Sequence, residues 1–380
     1  MGGSLRGVRI GALLGVPLEI NPSWLITLAF FIFILGGNVY PSVLEGQPQW
    51  FYWTLAAISG LFFFSSIVIH EMAHSLVARR YGLPVRAITL FMLGGVSQIT
   101  REARRPLVEF LMAIAGPLTS VALAGVFLGL VFVPGIRGHR ASIMWEWLFV
   151  MNLSLAVVNL APGFPLDGGR VLRAAIWGVT GNFRKATRWA SIVGRALGMA
   201  LIGAGALTLV NLVPWLDPIS GLWFVLVGWF LENAARQSWT NLRLLDALRA
   251  RTAGSVMQTV LPRVDGATNL LEAVSRYYVP QSGLCAFVVD PAETVIGMLT
   301  EVDAGRVPRD RWPLTNAAAA MTPVDRLTAV APQTDLASTL EQIDAAQQAH
   351  APVVEDGRLV GFVTRGRIMG MLLDEARDLR

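Results

Sequence analysis

Six stretches of this chain are long and apolar enough to cross a lipid bilayer, and this constrains its fold more than any other feature. A transmembrane helix needs about 20 apolar residues, and a backbone in contact with lipid must satisfy its hydrogen bonds internally. Of the 380 residues, 54% are hydrophobic and only 15% are charged, and the apolar ones are concentrated before residue 234. The predicted spans are residues 22–39, 50–80, 107–133, 141–160, 190–213 and 215–231. We therefore predict an α-helical polytopic membrane domain of about six spans over residues 1–234.

The basic residues cluster at the ends of these spans, so the net charge of +5 indicates orientation in the membrane rather than nucleic-acid binding. Loops rich in arginine and lysine tend to stay on the cytoplasmic side. One topology with both chain termini inside places there Arg6, Arg9, Arg79, Arg80, Arg101, Arg104, Arg105, Arg170, Arg173, Arg184, Lys185, Arg188, Arg236 and Arg243. Arg137 and Arg140 are its exceptions. We predict a multi-pass protein of the cell membrane, in contact with lipid and without a nucleic-acid partner.

A pair of histidines at the end of the second predicted span carries the strongest chemical signal. His70 and His74, two of the four histidines, are four residues apart, and Glu71 follows the first. On a helix this spacing places both imidazoles on one face, where they can share a zinc ion while the glutamate takes a proton from water. Ionisable groups are costly at membrane depth and are usually functional there. The motif therefore indicates peptide hydrolysis inside the bilayer or at its cytoplasmic edge.

A catalytic zinc takes three protein ligands and keeps one position open, so a third ligand is needed. A single cysteine, Cys285, excludes a cysteine cluster. His139 and His350 are poor candidates, because the first lies in a predicted outer loop and the second in a polar tail. Asp167 is the strong candidate, since it follows the fourth predicted span at the same membrane side as the histidines. The alternative for Asp167 is a solvated loop aspartate beside Arg170.

The segment before this aspartate cannot remain helical. Pro162 and Pro165 force a turn between the fourth span and Asp167. Irregular backbone at membrane depth is tolerated only where it is buried in protein or lines a wet cavity. An active site satisfies that requirement.

These motifs resemble the site-2 protease family of intramembrane zinc metalloproteases. The resemblance covers roughly residues 7–234, in the family's order, through the histidine motif and the segments 91–96, 115–117 and 159–169. It implies that His70, His74 and Asp167 hold one zinc ion per chain, and that Glu71 is the catalytic acid and base. It also implies that Asn159 holds the substrate backbone or stabilises the oxyanion. The alternative for Asn159 is a helix-end amide bonded to backbone.

Two further segments have expected structural roles near the metal. Residues 84–100 contain too many glycines to span the bilayer, and we predict a membrane-associated β-hairpin there. Such a strand could pair with an unwound substrate by edge addition, or it could simply pack. Gly116 and Pro117 are expected to kink the third span near the zinc, or to allow close helix packing.

The composition changes after residue 231, and the remainder is typical of a soluble α/β tail. We predict a linker over residues 235–253 and a domain pair over residues 254–380, divided into copies 254–310 and 311–380. A repeat at an offset of 64 residues supports the division, through the pairs Met257 and Met321, Gly297 and Gly361, and Thr300 and Thr364. We predict two strands in each copy, residues 286–289 and 295–299 in the first and residues 351–354 and 359–363 in the second. Two tandem copies predict an internal pseudo-dimer.

The tail resembles tandem CBS domains, as in the prokaryotic branch of the site-2 protease family. That resemblance implies an adenine-nucleotide sensor, with Thr300 and Asp303 in the first copy's T-x-x-D signature. In the second copy Thr364 is the corresponding nucleotide-binding candidate, but Arg367 replaces the aspartate. Either Arg365 and Arg367 hold phosphate there instead, or this second site is empty. The alternative is a module that only dimerises, which would make the chain a homodimer.

Together these features predict an intramembrane zinc endopeptidase that cleaves single-span or membrane-anchored proteins, regulated by its CBS pair. Two rival hypotheses remain. A CBS-gated transporter would need a polar path through the spans, whereas the charged residues here assemble one zinc site. A zinc-binding pseudoprotease scaffold would have no need of Glu71.

Overall fold

The computed structural model describes residues 7–92, 94–134, 140, 142–214, 216–279, 283–346 and 348–378. His139 and Arg137 lie outside these residues. The chain divides into two compact units, Met1–Trp239 and Thr240–Arg380.

The first unit contains a four-stranded sheet with β1 (Val8–Leu13), β2 (Val16–Ile20), β3 (Val85–Phe91) and β4 (Gly94–Ile99). The strands lie in that order, and β2 and β3 pair in parallel, whereas the two outer pairs are antiparallel. The predicted hairpin over residues 84–100 is confirmed as β3 and β4. The sequence did not predict β1 and β2. Strand β2 pairs with a strand some 70 residues away, such as Leu18 with Ile88, and β1 joins the sheet only through its hairpin with β2.

The helices of the first unit are α1 (Ser23–Ile34), α2 (Tyr40–Val43), α3 (Gln49–Arg80), α4 (Pro106–Val131), α5 (Ser142–Asn159), α6 (Asp167–Thr180) and α7 (Phe183–Leu209), with a π-helical turn, Leu35–Val39, joining α1 and α2. Helix α8 (Pro218–Arg249) begins in the first unit and ends in the second, because the division falls between Trp239 and Thr240. Among the described residues, five segments are long and apolar enough to cross a membrane: Ser23–Val43, α3, α4, α5 and α7. The sixth predicted span, residues 215–231, falls largely on the first part of α8, which is not among the five. That span therefore stays a prediction.

The spanning helices are apolar on both their outer and inner faces, as expected for helices surrounded by lipid. Large apolar side chains such as Leu61, Val121 and Val157 point outward, each roughly half exposed or more. Several polar side chains of the same helices are instead buried, among them His70 and Glu109, whereas others, such as Glu146, are exposed. Polar side chains buried among membrane-length helices are costly and are usually functional.

The second unit contains α9 (Ala253–Val256), β5 (Arg263–Asp265), α10 (Leu270–Tyr277), β6 (Tyr278–Val279), β7 (Gly283–Val289), β8 (Val295–Thr300), α11 (Glu301–Gly305), α12 (Ala317–Ala320), β9 (Thr322–Pro323), α13 (Leu336–Ala345), β10 (His350–Glu355), β11 (Arg358–Thr364) and α14 (Arg365–Asp378). The antiparallel pairs β7–β8 and β10–β11 are the strand pairs that the repeat predicts. Cys285 is buried in this unit, and burial raises the pKa of its thiol to about 12.

The two copies of the repeat exchange their first segments. Met257, at the start of the first copy, packs against Gly361 of the second, and Met321 packs against Gly297 of the first. A Cβ atom at either glycine would lie under 3 Å from the methionine sulfur. Each copy therefore completes the other's core, which explains why both the methionine and the glycine recur at the 64-residue offset.

Candidate metal centre

His70, His74 and Asp167 meet at one point inside the first unit. The two Nε2 atoms lie 3.2 Å apart, and Asp167 Oδ2 lies 3.2 Å from that of His70 and 3.1 Å from that of His74. Both imidazoles are buried, at 3% and 4% exposure. Helix α3 supplies the histidines, and the first residue of α6 supplies the aspartate. The structure thus brings the three predicted ligands together from positions 93 and 97 residues apart.

The outer nitrogens of both imidazoles are held by α4. His74 Nδ1 lies 2.7 Å from the carbonyl oxygen of Met112, which can only accept, so the nitrogen carries the proton. His70 Nδ1 lies 2.8 Å from the hydroxyl of Ser120. In a neutral His74, Nε2 then carries a lone pair, and this lone pair faces the Asp167 carboxylate oxygen. Both atoms are hydrogen-bond acceptors, and neither has a proton to donate. Such an arrangement of acceptors is suited to a cation, and a ligand histidine typically donates its other nitrogen in this way.

The dimensions of this triangle fit zinc. Two ligand atoms at the usual zinc distance of about 2.0–2.1 Å, in tetrahedral geometry, lie about 3.3 Å apart. Gly116 of α4 leaves the necessary space, because a Cβ atom there would lie 2.3 Å from His74 Nε2 and 2.6 Å from His70 Nε2. Close packing therefore explains this glycine, and α4 continues through Pro117 as one helix.

The loop between α5 and α6 presents Asp167, and glycines allow it to pack backbone against backbone. The chain turns over residues 160–166, as the prolines predict. A Cβ atom at Gly169 would lie 2.4 Å from Phe164 N, and one at Gly194 of α7 would lie 2.2 Å from Phe164 O. Phe164 N also donates to the carbonyl of Ala190 at 3.2 Å. Helix α7 thereby fixes the loop, and with it the carboxylate.

Glu71 lies beside the triangle and is held by strand β4. His70, Glu71 and His74 each place one potential ligand atom within 4.8 Å of the others. The Glu71 carboxylate, however, accepts hydrogen bonds from the backbone N–H of Ser97 at 3.0 Å and from its hydroxyl at 2.8 Å. This engagement distinguishes Glu71 from Asp167, whose oxygen faces both imidazoles.

A cavity of about 550 Å³ opens on these groups. Apolar residues such as Phe31, Phe63 and Leu155 form part of its wall, and the histidines and the carboxylates form another part. Asn159, the last residue of α5, lines the same cavity. The structure therefore brings every residue predicted for this site to one cavity.

Two arginines beside the centre have a role that the sequence did not predict. Arg170 lines the cavity and donates through Nε to Glu109 at 3.1 Å, and Arg173 donates to the same carboxylate oxygen at 2.5 Å. The Glu109 side chain is fully buried, and that of Arg173 is 9% exposed. From the sequence alone, both arginines were predicted only to orient the chain in the membrane. The one sequence feature that could have indicated this ion pairing is Glu109, an acidic residue inside a membrane-length segment.

We expect Glu109→Ala to lower the free energy of unfolding by about 3–5 kcal/mol, because removing one partner leaves buried charges uncompensated. Unfolding of the purified protein in detergent would measure this. Glu102→Ala is the matched control, since Glu102 is half exposed and lies 3.6 Å from the same arginine, Arg173. An exposed pair of this kind contributes about 0–1 kcal/mol. Equal effects of the two substitutions would contradict the prediction.

In the second unit, Thr300 and Asp303 lie together as the signature of the first copy predicts. Asp303 Oδ2 accepts from the backbone N–H of Thr300 at 3.0 Å and from its hydroxyl at 2.6 Å, which caps α11. Its Oδ1 accepts from the hydroxyl of Thr322 at 2.8 Å and from Arg306 at 3.2 Å. Both signature residues line a cleft of about 350 Å³.

The corresponding position in the second copy is built differently. Thr364 accepts from the backbone N–H of Arg367 at 3.1 Å, and the Arg367 side chain is exposed. Arg365 pairs with Asp344 at 3.2 Å. The second copy therefore keeps the helix cap but not the buried carboxylate.

Known proteins are similar to both parts of the chain. Residues 59–142 and 136–201 match the model of peptidase family M50, and residues 317–374 match that of the CBS domain. The protein sll0528 of Synechocystis sp. is 33% identical over 98% of this chain and 97% of its own length. Rip3 of Mycobacterium tuberculosis is 30% identical over 94% of this chain and 90% of its own. Both are provisionally named zinc metalloproteases.

A solved structure is also similar to part of the chain. The site-2 protease from Methanocaldococcus jannaschii is 28% identical and covers 61% of this chain and 95% of its own, with a TM-score of 0.42.

Proposed function

The chain belongs to peptidase family M50, the site-2 protease family of zinc metalloproteases, and on that premise we propose that it cleaves membrane-anchored proteins within their transmembrane segments. The observation that carries the proposal is the triangle of His70, His74 and Asp167, formed at the end of a membrane-length helix. These three residues would hold the zinc ion. Bound there, zinc supplies a Lewis acid that makes water a nucleophile at neutral pH.

The protein's own residues supply the remaining chemistry. Glu71 takes the proton from the attacking water and passes it to the leaving amine. Asn159, which lines the same cavity, would donate its amide to the substrate backbone or to the oxyanion. The apolar wall at Phe31 and Phe63 accommodates apolar side chains of a membrane segment and limits the entry of water.

A helical substrate hides its scissile amide in its own hydrogen bonds, so the enzyme must offer a replacement. Strand β4 is the last strand of its sheet, and residues 94–97 line the cavity. An unwound substrate segment can therefore add to this edge as a further strand, beside Glu71. The substrate class that fits is a single-span or membrane-anchored protein with a segment that unwinds readily.

The family and the five apolar helices support a multi-pass membrane protein. We further propose that both termini and the CBS tail are cytoplasmic, which requires the first part of α8 to form the sixth span. The arginines at the end of α3, Arg79 and Arg80, support this orientation.

The direct test combines metal analysis with cleavage. The purified wild-type chain is expected to contain about one zinc, and co-expression with candidate single-span proteins should yield cleavage products. His70→Ala and Asp167→Ala should each lose the metal and the cleavage. Full zinc occupancy and activity in Asp167→Ala would show that another group is the third ligand.

We also propose that the tail binds one adenine nucleotide per chain, at the cleft of Thr300 and Asp303. The buried carboxylate of Asp303 can accept from ribose hydroxyls, and Arg306 and Arg326 line the same cleft and can reach phosphate. The second copy has Arg367 where such a carboxylate would be needed. Binding would regulate proteolysis, or the pairing of two chains, only if the nucleotide has different affinities for two arrangements of the protein.

Titration calorimetry of the full chain with ATP, ADP and AMP is expected to find one site, weakened at least about tenfold by Asp303→Ala. Arg367→Ala, at the matched position of the second copy, should leave the affinity unchanged. Two sites per chain, or binding indifferent to Asp303→Ala, would contradict the assignment. No binding of any of the three would leave the tail as a dimerising module.

A further inference from the structure

Ser97 makes an unusual number of contacts to one glutamate. Its backbone N–H and its hydroxyl both reach Oε2 of Glu71, at 3.0 and 2.8 Å, and the hydroxyl also lies 2.9 Å from the Glu71 carbonyl oxygen. Ser75, one helical turn further along α3, donates to the Ser97 hydroxyl at 3.1 Å. The hydroxyl is therefore fixed on both its donor and its acceptor side.

The same strand also confines the stem of Glu71. Gly95, two residues before Ser97, approaches so closely that a Cβ atom there would lie 2.7 Å from Glu71 Cγ. Successive residues of a strand point to opposite faces, so Gly95 and Ser97 lie on the same face of β4. Strand β4 thus holds both the methylene stem and the carboxylate head.

We propose that Ser97 is the positioning residue for Glu71. The last torsion of a glutamate side chain is broad, and a carboxylate left to itself samples many orientations. Both hydrogen bonds from Ser97 end on Oε2, so the carboxylate plane is fixed and Oε1 is the oxygen that exchanges the proton. A catalytic group gains its effect only when it is held close to the productive geometry.

This inference rests on the proposed proteolytic function and deepens it. The strand that would pair with the substrate is also the strand that orients the acid and base. The position of the substrate relative to the Glu71 carboxylate is then set by β4 alone, rather than by two elements that can move independently.

The test uses the full-length zinc protein in detergent and a single-span substrate found by co-expression. Ser97→Ala keeps the backbone N–H but loses the hydroxyl, so kcat should fall about 10- to 100-fold, whereas KM and the zinc content stay unchanged. Ser97→Thr retains both donors and should recover most of the rate. The matched control is Ser66→Ala, a buried serine of α3 whose hydroxyl bonds only its own helix at Phe62 O in the described structure.

A double-mutant cycle separates positioning from general damage. In the Glu71→Gln background, Ser97→Ala should cause no further loss of the residual rate, because Ser97 acts through Glu71. A full additive loss in that background, an unchanged kcat in Ser97→Ala, or loss of zinc would each overturn the inference.

A second double-mutant cycle needs no substrate, because it measures the contact between Ser97 and Glu71 through protein stability and not through catalysis. The destabilisation caused by Ser97→Ala, measured by unfolding, should shrink in a Glu71→Ala background because the partner is gone. If this coupling is present and the wild-type zinc protein cleaves no membrane protein, the proteolytic function fails while the contact stands. If the coupling is absent, the inference fails whatever the wild type cleaves.

Discussion

A Glu71→Gln chain is expected to retain its zinc and to cleave its substrate about 10³-fold more slowly than the wild type. The glutamine keeps the size of the glutamate and still offers an oxygen to Ser97, which donates to that position at 2.8 and 3.0 Å. An amide cannot take and return the proton that the reaction moves, and general acid–base catalysis contributes about 10²–10⁴-fold. The three predicted ligands are untouched, so the metal content should equal that of the wild type.

The measurement is zinc content together with cleavage of a co-expressed single-span protein. Uncut substrate should accumulate beside a protein that has its metal. Asn159→Ala should be impaired less severely, because it removes one donor and leaves the proton carrier in place. Wild-type turnover by Glu71→Gln would favour the transporter or the scaffold hypothesis.

A Gly116→Ala chain is expected to lose nearly all of its zinc, although no ligand is changed. The added methyl group would lie 2.3 Å from His74 Nε2 and 2.6 Å from His70 Nε2, in the space that the metal requires. The imidazoles cannot easily retreat, because Met112 and Ser120 of the same helix hold their outer nitrogens. Real carbon atoms do not approach to such distances, so either the rings or α4 must move.

Elemental analysis of detergent-purified protein measures the loss, and Gly125→Ala provides the matched control. Gly125 lies on the same helix, and a Cβ atom there would meet nothing within 4 Å. That variant should keep its zinc and its activity, which excludes a general effect of alanine in α4. Normal zinc content in Gly116→Ala would show that the metal is bound elsewhere.

The spanning helices and the ligand set could be predicted because their signals are local or chemically rare. Length and apolar composition determine which segments cross lipid, and helical spacing determines that His70 and His74 share a face. The aspartate was harder to assign, since only its place after a proline-interrupted span indicated that Asp167 would meet them. The 64-residue repeat likewise predicted the strand pairs of the tail without any knowledge of contacts.

The contacts that complete the site depended on the tertiary structure. Nothing in the local pattern of Ser97 distinguishes it from other serines. Gly116 was singled out beside Pro117, but the choice between a kink and close packing needed the contact of α4 with the imidazoles of α3. The pairing of Arg170 and Arg173 with Glu109 joins segments about 60 residues apart, and the arginines alone were read as orientation charges.

The sequence by itself thus determined which side chains are the candidates for catalysis and in what kind of environment they were expected to lie. Only the tertiary structure decided what orients them: β4 on Glu71, α4 on the imidazoles, and α7 on the loop of Asp167. The physical reason is that residue identity and helical periodicity are properties of short segments. Close approach and hydrogen-bond partnership are instead set by how distant segments pack.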